Sequence, residues 1–382
     1  MTEPGKRVRI AVAGLGVIAR TVHLPLLLRR GDLFEVVALA DLSPSRVTEL
    51  GGRYGVEPAR RYTDAVRMVT DGGCDAVLLA TSGSHGELAA TALRAGLPVL
   101  CEKPLAYTLA ETDRLAELGS GGATLMVGYM KQYDPAVAEA ARLLADLGGA
   151  EAVHAVEVTV LHAGGDRQLR FANLPPAAAD VPADEALRFA AADRALLDAA
   201  VGTNPAAHTL YRILLNSISH DLSLLRLFTG APATVEHVAT WPLTPDGPAE
   251  PSVEISGRLS SGARYGIRWL NLPDYPAYRE TVTVHHARGS LELVFPSPYL
   301  LNAPTTLTVV EDHGGGERRA AFRSVTEAFE QELVAFHAMV TAAAAPLTGI
   351  AEGAQDVRTS QQVVRRYGEL TGAAIGGEAA SR

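Results

Sequence analysis

Short, uninterrupted apolar runs at Val8–Val12, Val36–Ala40, Ala76–Ala80, Val99–Cys101 and Leu125–Val127 mark the first third of the chain. Runs of this length without alternation are the pattern of strands covered on both faces of a parallel sheet. Helix-length stretches lie between them, several with readable starts. Ser43-Pro44 places a capping hydroxyl before a helix-opening proline, and Thr108 with Glu111 has the spacing of a capping box. Strands alternating with helices predict right-handed crossovers and a doubly wound sheet. Asp134-Pro135 starts another helix that leads out of this region.

After about residue 150 the period changes. Val253, Ile255, Gly257 and Leu259 alternate with polar neighbours, Ser260-Ser261-Gly262 turns the chain, and Tyr265, Ile267 and Trp269 alternate again. Thr281–His286 and Ser290–Phe295 continue the period of two around a turn containing Gly289. Such strands have one apolar and one more polar face, as in an open antiparallel sheet. From Glu327 to Leu370 the pattern is helical, with Phe329, Leu333 and Phe336 at helix spacing. The expected architecture is α/β: a doubly wound parallel sheet over residues 1–130, then an α+β domain with an open, mainly antiparallel sheet over 131–382. Residues 163–208 are rich in Ala, Asp and Pro, with Pro175-Pro176 and a helix near Glu185–Val201. This segment reads either as a lid inserted over an active site or as a surface excursion.

Bulk composition narrows the function. Two domains suit 382 residues, and 47% hydrophobic with 20% charged residues is ordinary for a soluble protein. A formal net charge of −9 argues against nucleic acid as a partner. No apolar run approaches the roughly 20 residues of a spanning helix, and the first residues run straight into a strand with no signal-peptide pattern. Cys74 and Cys101 provide no disulfide framework, so a cytoplasmic location is expected. Of 34 basic residues only three are lysines, Lys6, Lys103 and Lys131. In so Arg-biased a chain a retained amine, whose pKa moves readily, invites a chemical reason. For Lys6, on the terminal arm, chance suffices.

Gly14-Leu15-Gly16-Val17-Ile18-Ala19 follows the first strand and opens the first helix. This is G-x-G-x-x-A, a variant of the Rossmann fingerprint: Gly14 for a tight turn, Gly16 for close approach of a pyrophosphate, Ala19 for helix–strand packing. Gly14, Gly16, Val17 and Ile18 therefore form the expected cofactor loop, with the pyrophosphate at the positive end of the helix. Asp41 ends the second strand, where a carboxylate accepts hydrogen bonds from the adenosine ribose and repels a 2′-phosphate. NAD is thereby preferred to NADP. Arg46 complicates the choice, because a guanidinium there would stack on adenine or meet a phosphate. Asp41 also has a second reading, as a cap before Ser43.

The fourth long strand ends in Glu102-Lys103-Pro104, at the sheet edge where nucleotide-fold ligands bind. With the Gly14–Ala19 fingerprint and His23 downstream, Thr81–His85, Gly128–Pro135, Asn216–Gly230 and the closing Phe329–His337 and Ala354–Tyr367 helices, the chain resembles the glucose–fructose oxidoreductase / inositol dehydrogenase / rhizopine-catabolism (Gfo/Idh/MocA) family. The resemblance implies an N-terminal Rossmann domain, a C-terminal open-sheet domain and assembly into a homo-oligomer, dimer or tetramer, through that sheet. It puts Lys103 between nicotinamide and a small polyhydroxylated substrate, with the Lys103–Pro104 bond a candidate cis peptide, and Glu102 beside the cofactor. His220 becomes the acid–base, with Asn216 four residues earlier as a catalytic and substrate contact. Thr81, Ser82 and His85 would flank the cofactor, His85 alternatively capping the next helix. Lys131 would reach the substrate or the nicotinamide side, and His162 is a weaker substrate contact against a plain surface reading.

Three departures from the family pattern bear on chemistry. Asn216 stands where relatives often have Asp, and an amide orients a hydroxyl but relays no proton. Ser82 replaces a common Pro, and Lys131 a common Arg with its bidentate fork. No Tyr-x-x-x-Lys, zinc-spaced Cys/His cluster, Gly-x-Ser-x-Gly elbow or P-loop is present, so no metal is expected. Three functions follow: an NAD(P)-dependent oxidoreductase acting on a hydroxyl or keto carbon of a sugar, cyclitol or nucleotide-sugar-like substrate; an NAD-dependent glycosidase or epimerase that recycles its cofactor; and a non-catalytic dinucleotide sensor.

Overall fold

The computed structural model describes residues 7–119, 124–174, 178–242 and 250–381; Lys6 and Pro175-Pro176 lie outside the described residues. The chain forms two compact units. One gathers Met1–Tyr129, Pro175–Ala200 and Phe329–Val357, the other Met130–Leu174, Val201–Ala328 and Arg358–Arg382.

The first unit is built on six strands, β1 (Val8–Ala13), β2 (Phe34–Ala40), β3 (Arg61–Tyr62), β4 (Ala76–Leu79), β5 (Val99–Glu102) and β6 (Leu125–Gly128), in the order β3-β2-β1-β4-β5-β6. Every pairing is parallel. This is the doubly wound order, whose switch point between β1 and β4 opens a crevice at the carboxyl ends of the strands. All four residues of β4, β5 and β6 are buried, as the apolar runs predict. Only the two-residue β3 carries no apolar run. The caps read from sequence are present. Ser43 accepts from the Arg46 amide, Thr108 and Glu111 accept from each other's backbone N–H at 3.0–3.1 Å, and Asp134 accepts from the Ala136 amide at 2.7 Å.

Two segments distant in sequence complete this unit. The Phe329 ring meets His23 edge-on at 5.7 Å, and His337 meets Phe34 at the same distance. Thr348 covers the outer edge of β6, its carbonyl accepting from the Val127 amide and its hydroxyl donating to the Val127 carbonyl. The backbone N–H and C=O of Val127 on this edge strand are thereby satisfied. The sequence reading grouped everything after residue 130 with the second domain; burial of these apolar faces is why 329–357 packs with the first. The C-terminal helical pattern resolves into two helices, Ala328–Ala342 and Ile350–Thr371, with Ala343 at φ 51° where the first ends.

The second unit carries eight strands: β7 (Val153–Ala163), β8 (Pro232–Trp241), β9 (Ser252–Leu259), β10 (Arg264–Leu272), β11 (Arg279–His286), β12 (Gly289–Phe295), β13 (Thr306–His313) and β14 (Gly316–Arg323). Their order is β14-β13-β12-β11-β7-β10-β9-β8, antiparallel throughout except for the parallel β7–β10 pair. Tyr265, Ile267 and Trp269 of β10 and Val253, Ile255 and Leu259 of β9 are buried, the alternation expected of a sheet with one covered face. Among the described residues no helix is long and apolar enough to cross a membrane.

Candidate active site

At the end of β1 the chain turns at Gly14, with φ +88°. A Cβ there would stand 2.5 Å from the backbone of Ala80 and Thr81, so β1 and the exit of β4 approach as closely as only glycine permits. A Cβ on Gly16 would meet nothing within 4 Å. That open space beside the backbone, next to a helix start, fits a diphosphate. Ala19 is fully buried, as close packing of the first helix requires. The turn is pinned to β2, since the Leu15 amide donates to Asp41 Oδ2 at 2.8 Å while the Ser43 amide donates to Oδ1 at 2.9 Å. Asp41 thus braces the glycine loop and also holds the amide of Ser43, the residue that caps the helix Pro44–Arg53. Arg46 lies 3.6 Å from Asp41.

Along the same sheet edge, β5 ends in Glu102, and Lys103–Pro104 is a cis peptide. Glu102 is buried and does not stand open toward a ligand. Its Oε1 lies 2.7 Å from His23 Nε2, and His23 is itself fully buried on the wide turn Ala19–His23 of the first helix. Burial pushes the Glu102 carboxyl up, yet His23 and then Lys103 and His85 hold it below the usual glutamate range. Glu332, from the helix Ala328–Ala342, is buried near this pair, and burial with the Glu102 charge pushes its carboxyl well above the ordinary value. A neutral acid thus sits beside a charged one, the usual outcome when two carboxyls share a low-dielectric region. His85 donates from Nδ1 to the Pro104 carbonyl at 2.7 Å, joining the loop after β4 to the loop after β5. Its side chain makes no capping hydrogen bond, and burial lowers its pKa, so the ring is neutral. Thr81 and Ser82, before Gly83 at φ +81°, occupy the same loop, Ser82 exposed.

In the second unit Asn216 lies on a wide turn, Leu214–Ile218, and His220 on the helix Ser219–Thr229 that follows. Wide helical turns of this kind are rare and concentrate at functional positions. The turn is anchored by Trp269, whose indole N–H donates to Ser217 Oγ at 2.8 Å. Asn216 is exposed and His220 half-buried.

Lys131 sits elsewhere in this unit, almost fully buried and paired with Glu280 of β11, its ammonium 5.0 Å from the centre of the Phe295 ring. The Tyr278 hydroxyl donates to the same Glu280 carboxylate. Burial and then the Glu280 charge raise Asp221 well above the usual aspartate range, while Lys131 overrides burial to keep Glu280 low. Lys131 is therefore engaged inside the unit, and a substrate contact would require that pair to open. His162, at the end of β7, packs on Trp269 with ring centres 4.8 Å apart, and burial lowers its pKa. It is neither a plain surface residue nor, in this packing, fully accessible.

The pairs His23–Glu102 and Lys131–Glu280, and the acid Glu332, are not assigned by the sequence analysis, yet Glu280 and Glu332 carry a signal there. Glu280 is in phase with Val282 and Val284 on the apolar face of its strand, and Glu332 shares a helix face with Phe329, Leu333 and Phe336. A carboxyl in phase with apolar residues predicts a buried partner. Among the described residues no group of three or more His, Cys, Asp or Glu side chains is arranged to hold a metal ion.

Comparison with known proteins agrees with this geometry. Residues 8–129 match the model of the Gfo/Idh/MocA oxidoreductase family with an NAD-binding Rossmann fold. Inositol 2-dehydrogenase 1 of Saccharopolyspora erythraea is 34% identical over 154 residues, 39% of this chain and 45% of the relative, so the match spans less than half of that protein's length. Two solved structures share the fold across nearly the whole chain. An inositol dehydrogenase homologue of Azotobacter vinelandii, complexed with NADH and myo-inositol, covers 97% of this chain and 98% of its own at 18% identity and TM-score 0.69. A dehydrogenase of Bordetella pertussis, in complex with NADH and UDP-GlcNAcA, covers 96% and 98% at 19% identity and TM-score 0.66. The glycine turn, the doubly wound strand order and the Glu102-Lys103-Pro104 exit all lie within residues 8–129, the part of the chain that matches the family model.

Proposed function

We propose that this protein is an NAD(P)-dependent oxidoreductase, transferring hydride between nicotinamide and a hydroxyl- or keto-bearing carbon of a sugar, cyclitol or nucleotide-sugar-like substrate. The observation that carries the reading is one sheet edge holding both a glycine loop braced by Asp41 and a lysine following the buried Glu102. The names of the relatives, inositol dehydrogenases among them, support the substrate class.

When bound, the dinucleotide supplies the hydride acceptor or donor. Backbone amides of Gly14, Gly16, Val17 and Ile18 would hold its pyrophosphate, and Asp41 favours NAD because a second anion at the ribose is repelled. Thr81 and Ser82 would line the nicotinamide side, with His85 fixing that loop to Pro104. The Lys103 ammonium would donate to the reacting oxygen and stabilise alkoxide character as the hydride leaves. Glu102, held by His23, fixes the charge beside that ammonium. His220 would take the hydroxyl proton, and Asn216 would orient a hydroxyl without relaying protons. The open second sheet would serve assembly into a dimer or tetramer.

The test has two parts. Fluorescence titration with NADH and NADPH measures cofactor binding, and a panel of cyclitols, sugars and nucleotide sugars is then assayed for net NAD reduction with product identification. Net reduction with one of these classes is expected. Bond cleavage or inversion without net reduction, or binding with no turnover on any member, would replace this reading by cofactor recycling or sensing.

A further inference from the structure

The helix Pro44–Arg53 begins directly after Asp41, at the ribose end of the expected dinucleotide site, and has no acidic residue in its first turn. An anion is nevertheless present there, brought from 135 residues away. Asp180 accepts from the Ser43 hydroxyl at 2.5 Å through Oδ1 and from the Ser45 amide at 2.7 Å through Oδ2. These bonds hold its carboxyl down at about 2, so it is charged across the physiological range. Two cations belong to the same corner. Arg46 lies 3.6 Å from Asp41, and burial followed by the Arg46 charge lowers the pKa of Arg20.

The Ser43 hydroxyl and the helix-start amide of Ser45 form a donor pair suited to a phosphate monoester. Here a carboxylate of the chain itself takes it. The helix that follows Asp180, Ala183–Val201, reaches the loop after β4, where a Cβ on Gly83 would stand 2.8 Å from Asp193 Oδ1 and 3.3 Å from Phe189. The segment is therefore tethered at the loops after both β2 and β4, which gives Asp180 a fixed position.

We propose that Asp180 is a cofactor-specificity residue: it stands in for the 2′-phosphate of NADP on Ser43 and Ser45, reserving those donors so that the dinucleotide carrying a free 2′-hydroxyl is accepted. A 2′-phosphate arriving there meets Asp180 and Asp41 together and finds its hydrogen-bond donors already used. The inference rests on dinucleotide binding at Gly14–Gly16. It adds a determinant supplied by the 163–208 segment to the one at the end of β2.

Fluorescence titration of the full chain with NADH and NADPH, in wild type, Asp180→Ala and Asp180→Asn, tests it. Wild type is expected to bind NADH more tightly. Both variants should gain about tenfold or more in NADPH affinity, with NADH affinity little changed. Adenosine 2′,5′-bisphosphate set against ADP, titrated by calorimetry, should show the same gain without the nicotinamide. An unchanged NADPH-to-NADH ratio in both variants overturns the role of Asp180 while leaving dinucleotide binding intact. Equal loss of both affinities makes Asp180 a tether for the segment and equally overturns it. Failure of wild type to bind either nucleotide overturns the underlying reading itself.

Discussion

His23 Nε2 lies 2.7 Å from Glu102 Oε1, and both side chains are withdrawn from solvent. The pair links the first helix to the exit of β5, and thus the glycine loop to the residue preceding Lys103. A carboxylate held below its unfolded pKa of about 4.3 stabilises the fold above that value, and the contribution is lost as pH falls through the folded pKa. His23→Ala leaves the carboxylate buried without its hydrogen-bond partner, a change that costs about 1–3 kcal/mol. Urea unfolding at neutral pH should show a loss of that order. Glu102→Gln should flatten the acid limb of the stability curve between pH ~5 and the folded pKa, and an unaltered limb would remove Glu102 from acid unfolding.

Glu332 should behave oppositely. Its pKa is raised by burial and by Glu102, so its cost appears as pH rises above its unfolded value, because folding must then keep it protonated. Glu332→Gln should therefore gain stability relative to wild type at pH ~8 and differ little at pH ~4. Denaturant midpoints across that range give the comparison, and a uniform offset at every pH would count against a neutral buried acid.

The two glycines of the cofactor loop should separate folding from binding. Gly14→Ala forces a Cβ against the Ala80 backbone at positive φ and should cost about 1–3 kcal/mol in stability. Gly16→Ala meets open space, so its unfolding midpoint should stay near wild type while NADH affinity falls. Thermal melts beside fluorescence titrations distinguish them. Normal NADH affinity in Gly16→Ala would place the diphosphate elsewhere.

Lys103→Ala should lower kcat by about two to four orders of magnitude, the range of a positioned proton-transfer or oxyanion group, and leave NADH affinity within a few-fold. Steady-state kinetics with the best substrate of the panel measures the first and fluorescence the second. A near-normal kcat would take Lys103 out of the chemistry.

Much of this was legible along the chain because it is local. Five buried strands, the Ser43, Thr108 and Asp134 caps and the Gly14 turn each depend on a few adjacent residues, through periodicity, capping and φ. The alternation in β9 to β12 likewise predicted a half-covered sheet. The parallel β7–β10 pair within it, and the grouping of 329–357 with the first unit, were decided by pairing across many residues, which no local pattern encodes.

By itself, the order of amino acids determined which stretches become strand and helix, and which motif sits where β1 ends. Only the tertiary structure decided which charges meet: His23 with Glu102, Lys131 with Glu280, and Asp180 with Ser43 and Ser45. The reason is physical. Periodicity and backbone conformation are short-range properties written into neighbouring residues, whereas the partner of a buried or tethered charge depends on distant segments folding back to bring it there.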